Sequence, residues 1–256
     1  MEDDKLDSAF GTDAIEDEDL QIRASVVMAL GRSGDPAAVH PLADILKSED
    51  EVAWLRACAA IALGRLSCYE ALHPLVDALS HDDPVVCRSA IVALGDKGDS
   101  QAVPHLNSIL QNQAKIDLHA TTATSLGKIG GDEVVPILLA ALQSPDIYVK
   151  CSAALALGGM KTKAAAAALT ELLTAENESL RTIAASSLGL IGDKGALDYL
   201  IESLSDSAET VRATAASSLG CLGDARAIAP LQKALEDKSL HVRKQASAAL
   251  AKLNLK

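Results

Sequence analysis

From residue 20 onward the apolar positions of the chain recur at a fixed interval. The dipeptide Leu-Gly falls at 30–31, 63–64, 94–95, 126–127, 157–158, 188–189 and 219–220, with Leu250-Ala251 in the eighth place. The successive spacings are 33, 31, 32, 31, 31, 31 and 31 residues. Eleven residues after each of the seven glycines stands a leucine (42, 75, 106, 138, 169, 200, 231), and four residues later another (46, 79, 110, 142, 173, 204, 235). A strict period of this length is the mark of a stacked repeat. Within each period, segments such as 22–31, 55–64 and 211–220 keep apolar or small residues at i, i+3, i+4 and i+7, which predicts a first helix. The glycine at its end reads as a stop. Gly34-Asp35, Gly192-Asp193 and Gly223-Asp224 then predict tight turns, with Gly in a left-handed conformation and Asp capping the next helix. The second helix carries the paired leucines, often with proline in its first turns (Pro41, Pro74, Pro104, Pro136, Pro230).

A helix pair of some 31 residues cannot bury both of its faces alone, and stacking on its neighbours solves the problem. Composition agrees. Hydrophobic residues make up 49% of the chain but aromatic residues only 2%, so the apolar weight lies in small and aliphatic side chains. That balance disfavours a sandwich, a barrel or a doubly wound sheet. It suits helices that approach closely through alanine.

The recurring unit V-R-x-x-A-A-x-A-L-G-x-I-G-D resembles the short HEAT-like repeats of the phycobilisome (E/Z-type) lyase family and of consensus-designed repeat scaffolds, over about residues 20–253. The resemblance implies an all-α fold, a right-handed α–α superhelix (HEAT-like solenoid) of about seven and a half helix-pair repeats. It also implies that the Val-Arg helix lines the concave face. It transfers no catalytic residue, because this architecture serves many unrelated roles.

Charge divides the chain in two. Residues 1–19 hold nine acids against Lys5, a balance of −8, so the other 237 residues carry only −4 of the total −12. We read residues 1–19 as an acidic segment, partly disordered or forming a short capping helix, and 20–256 as the solenoid. An acidic chain is a poor ligand for a polyanion, so no nucleic acid is expected as a partner. No apolar run reaches the roughly 18 residues of a membrane span, and membrane insertion is not expected. Five cysteines without a C-x-x-C pair suggest reduced thiols and a cytoplasmic protein. Nucleotide-binding glycine loops and H-E-x-x-H are absent.

Arg23, Arg181 and Arg212 share one repeat position, with Arg56 and Arg243, and Asp35, Asp193 and Asp224 follow the first three after twelve residues. These six predict a structural ladder in which guanidinium forks donate to carboxylates and turn carbonyls between stacked units. If the first helices turn the implied face outward, Met28, Trp54, Cys58, Ile61, Arg65, Arg88, Tyr148 and Cys151 become candidates for partner binding, as aromatic, apolar and basic anchors. No residue stands out as catalytic or as a metal ligand. The expected function is a non-catalytic scaffold or adaptor that binds another protein on the concave face, with no cofactor. The resemblance leaves two alternatives. One is a subunit of an E/Z-type phycobilin lyase, which would hold an open-chain tetrapyrrole and work with a second HEAT-like subunit. The other is a metal or iron–sulfur adaptor using the cysteines.

Overall fold

The computed structural model describes residues 18–254, in which every regular element is a helix. The α-helices are α1 (Glu18–Ser33), α2 (Val39–Lys47), α3 (Ala53–Arg65), α4 (Leu72–Ala78), α5 (Pro84–Lys97), α6 (Val103–Gln111), α7 (His119–Ile129), α8 (Val134–Ala141), α9 (Ile147–Gly159), α10 (Ala166–Glu171), α11 (Glu178–Ile191), α12 (Leu197–Ser203), α13 (Glu209–Leu222), α14 (Ile228–Ala234) and α15 (Leu240–Asn254). Short 3₁₀ turns lead into most of the even-numbered helices. The chain forms two compact units, one ending at Ile129 and the other beginning at Gly130. In the first, α1, α3, α5 and α7 pack successively on one another; in the second, α9, α11, α13 and α15 do the same. The fold is an all-α superhelix, as the repeat predicts. The acidic segment lies outside the described residues, apart from Glu18 and Asp19 in the first turn of α1.

The leucine periodicity is the core. All seven leucines that begin a pair (42, 75, 106, 138, 169, 200, 231) are 0% exposed. Each sits on an even-numbered helix that packs on the odd-numbered helix following it, where full burial of a leucine contributes about 2 kcal/mol relative to exposure.

The Leu-Gly glycines correct one expectation. They do not end the first helices; they lie inside them, and Gly31, Gly64, Gly95, Gly158, Gly189 and Gly220 stand where one odd-numbered helix crosses the next of its unit. A Cβ at Gly64 would stand 2.7 Å from the Cβ of Ala93, at Gly189 2.5 Å from Ser218 Oγ, and at Gly220 2.8 Å from Ala249. Only a residue without a side chain permits that approach, and the partner position is itself alanine or serine. The helices stop three residues later, where Gly98, Gly192 and Gly223 adopt φ of 68°, 70° and 71°. Asp99, Asp193 and Asp224 then accept from the backbone N–H two residues on and start the next 3₁₀ turn, as the Gly-Asp pattern predicts.

The ladder exists, but with different carboxylates. Arg181 Nε and Nη2 donate to the two oxygens of Asp206 at 2.7 and 2.9 Å, and Nη1 to the carbonyls of Ala175 and Glu176, both at 2.9 Å. Arg212 repeats the arrangement with Asp237 and the carbonyls of Asp206 and Ser207. The acceptor therefore lies 25 residues after the arginine, just before the next odd-numbered helix. Asp35, Asp193 and Asp224 are spent as turn caps instead, and Asp224 also pairs with Arg226. A residue twelve positions on lies past the far end of the same helix, out of reach of the guanidinium. Arg23, at the start of the series, pairs with Glu51.

In the middle repeats other residues meet the same need. Cys87 takes the arginine position, and Lys115 reaches over from the next turn to donate to Leu79 O (2.6 Å) and His81 O (3.3 Å), 3.6 Å from the Cys87 sulfur. His119 reaches Asn112 O at 3.1 Å. At the joint of Arg56 the carboxylate position is His81, whose Nδ1 accepts from Asp83 N–H and whose Nε2 faces Arg56 Nη1 at 2.6 Å. A neutral imidazole accepts at only one nitrogen. Arg56 Nε stays buried without a partner among the described residues.

Candidate partner-binding cleft

A recess in the first unit opens between the C-terminal ends of α3 and α5. Its volume is about 770 Å³, and its wall runs from Ile61 to Tyr69 on one side and from Val92 to Asp99 on the other. Its origin is local. Where five repeats read Gly-x-x-Gly and the fifth reads Gly158-Gly-Met-Lys161 with Lys161 itself left-handed (φ 54°), the second reads Gly64-Arg-Leu-Ser67. Without the second glycine, α3 has no left-handed cap. The chain leaves extended at Leu66 (φ −72°, ψ 126°), and Leu66 turns inward to 1% exposure. The carbonyls of Leu66 and Cys68 then lack helical donors, and Lys97 Nζ supplies them at 2.7 and 3.1 Å. Burial lowers the pKa of this ammonium, opposed by the nearby Cys68 and Asp99. Asp96 is held by Lys128 at 2.6 Å. What remains open to a partner is the ring of Tyr69, 64% exposed, with its hydroxyl on Gln101 Oε1 at 3.1 Å, the apolar edges of Ile61 and Val92, and the exposed Arg65.

Of the residues expected to bind a partner, Ile61 and Arg65 line this cleft together. Met28 and Trp54 are partly buried on α1 and α3, away from its wall. Cys58 corrects the expectation. It is 4% exposed, because α3 is flanked by both α1 and α5, and burial pushes its thiol up to about 11. Arg88 is exposed and leans on α7 through Thr121 Oγ1 at 3.3 Å. In the second unit, Tyr148 is 73% exposed on α9 and Cys151, partly exposed, lies one turn on; burial raises the Cys151 pKa.

Tyr69, Lys97 and Asp96 carry no signal of their own in the repeat pattern. The missing glycine at position 67 is the available clue, since it marks the turn whose carbonyls need an outside donor. Among the described residues no three of His, Cys, Asp and Glu converge as metal ligands, and all five cysteines are free thiols. No described helix is long and apolar enough to cross a membrane.

A family profile for HEAT repeats matches residues 45–117, 108–188 and 171–251, and one for the PBS lyase HEAT-like repeat matches residues 22–48. No curated protein matches the chain. Among solved structures, the E. coli protein YibA is similar at 20% identity, covering 99% of this chain and 93% of that one, with a TM-score of 0.65. An engineered protein is similar at 22% identity over 98% of this chain and 77% of its own, with a TM-score of 0.54. The complex of CpcE and CpcF of phycocyanin lyase from Nostoc sp. PCC7120 gives 23% identity over 94% and 92%, with a TM-score of 0.49. At these identities the likeness concerns the fold.

Proposed function

The chain belongs to the HEAT-repeat family, and from that premise we propose that it is a non-catalytic scaffold that holds a segment of another protein in the cleft between α3 and α5. The observation that carries this reading is the state of the lining. Lys97 and Asp96 are committed to contacts within the unit. Arg65 has no ion pair among the described residues, and Tyr69, Ile61 and Val92 offer a large ring beside aliphatic edges. An aromatic ring and an arginine in a recess are the residue types that anchor protein interfaces. The fitting partner presents an apolar side chain with a carboxylate nearby.

Affinity capture with the intact chain and with the Tyr69→Ala/Arg65→Glu variant as baits, compared by quantitative mass spectrometry, tests it. A partner held by the cleft falls about tenfold or more with the double variant and is retained by Arg226→Glu, a change on the second unit. Equal recovery with all three baits overturns the assignment. A second reading rests on the lyase-type repeat at residues 22–48: a subunit that handles an open-chain tetrapyrrole. A visible absorbance band that copurifies after co-expression with bilin synthesis would favour it.

A further inference from the structure

The cleft between α3 and α5 is one end of a longer groove. A Cβ at Gly31 would meet Ala62 at 2.6 Å, one at Gly64 would meet Ala93 at 2.7 Å and one at Gly95 would meet Ser125 at 2.7 Å. Each of these contacts lies two positions before the next Leu-Gly glycine. So α1, α3, α5 and α7 cross in one register, and residues counted from their glycines form rows across the unit. Three positions before the glycine stand Met28, Ile61 and Val92, all half-buried, and then the exposed Thr124. One position after it stand Arg32, Arg65, Asp96 and Lys128, all exposed. Positions four apart share a face of a helix, so each helix sets a charged rim residue beside its part of a largely apolar floor.

The rim is not uniform, and its charges give the groove a chemical direction. At one end Asp96 and Lys128 neutralise each other at 2.6 Å. Arg32 and Arg65, in the last turns of α1 and α3, have no ion pair among the described residues. A cation at the end of one helix suits the dipole there. Two of them on neighbouring helices, with no counter-charge and an apolar floor beside them, are complementary to carboxylates brought from outside.

Building on the cleft as the partner site, we propose that the segment held there is acidic and crosses α3 and α1 in a polyproline II conformation, with one carboxylate on Arg65 and a second, three residues along, on Arg32. Spacing selects the conformation. Packed helices lie about 8–10 Å apart. A polyproline II segment has three residues per turn and rises about 3.1 Å per residue, so residues three apart face the same side about 9 Å from one another. In a pleated strand residues three apart point to opposite faces, and the two carboxylates could not both reach the rim. Positions next to the acids, recurring at the same interval, lay apolar side chains on Ile61 and Met28. The cleft end of the segment meets Val92 and the ring of Tyr69, which line the same recess as Ile61 and Arg65.

Selection of random-sequence displayed peptides on the immobilised full chain, followed by fluorescence anisotropy of the enriched peptides in solution, tests the proposal. The enriched peptides should share two acidic residues three apart, with apolar residues at the same interval, and should bind less tightly as salt rises. Arg32→Glu, outside the cleft, should weaken them about tenfold or more, as should Arg65→Glu. Arg226→Glu, on the second unit, should leave them unchanged. Both groove arginines are exposed, so these variants should keep the helix content of the intact chain by circular dichroism. Peptides that lose affinity with Tyr69→Ala and Arg65→Glu but not with Arg32→Glu would leave the cleft standing and overturn the acidic groove. Peptides indifferent to all three variants would overturn the cleft as well. A selection that enriches no peptide, or peptides without the acidic pair, overturns the proposal equally.

Discussion

At the scale of single residues, the joints of Arg181 and Arg212 are each a guanidinium fork between two turn carbonyls and one carboxylate. Arg181 and Asp206 have side chains only 13% and 12% exposed, so removing one partner strands the other. Asp206→Ala should cost about 3 kcal/mol of unfolding free energy. Asp193→Ala removes only a turn cap on Gly195 N–H, and should cost about 1 kcal/mol. Equal losses in thermal or urea unfolding would show that the carboxylates had been assigned to the wrong roles. The hydrogen bond from Arg181 lowers the Asp206 pKa, so the stabilisation is present above the unfolded carboxylate pKa of about 3.9 and is lost as pH falls through the lower folded value. The stability gap between the intact chain and Asp206→Asn should stay constant from neutral pH to about 5 and close below that. The same logic makes His81 a weak point. It stands where Asp206 and Asp237 stand and leaves Arg56 Nε buried without an acceptor. His81→Asp should stabilise the protein by about 1–2 kcal/mol, and a lower melting temperature would contradict this account of the joint.

At the scale of the helix, one motif holds two glycines with different duties. In Gly189-Leu-Ile-Gly192 the first lets α11 touch α13, and the second, at φ 70°, ends the helix. Both glycines are conspicuous in the sequence, yet the first reads there as a stop, because a glycine at a helix crossing and one at a helix end look alike until the neighbouring helix is placed. The distinction can be measured. Gly189→Ala sets a methyl 2.5 Å from Ser218 Oγ, so crowding of about 2 kcal/mol should outweigh a gain in helix propensity of about 1 kcal/mol. Gly159→Ala, also helical but with nothing within 4 Å of the new methyl, should keep the gain alone and stabilise. Opposite signs in the two variants identify the crossing; the same sign in both would refute it.

At the scale of the whole molecule, the sequence was legible wherever a property repeats and illegible wherever one repeat departs. The leucine pairs announced the core because each of the seven lead positions is buried in the same way. The arginine series announced a ladder, but the acceptor 25 residues away is reached only through the packing of the next helix pair. The cleft was half legible: Ile61 and Arg65 follow from helical spacing, whereas Tyr69 and Lys97 depend on how one turn opens when its second glycine is missing. The same locality should govern how the molecule responds to damage. Each odd-numbered helix packs on its immediate neighbours within its unit, so stability is a sum over joints and not one cooperative total. Hydrogen exchange of Asp206→Ala should therefore speed up in α11 to α13, whose joint has lost its carboxylate, while α3 and α5 keep their protection. A uniform rise in exchange across all helices would instead mean that the units unfold only as one body, and the nearest-neighbour description would fail.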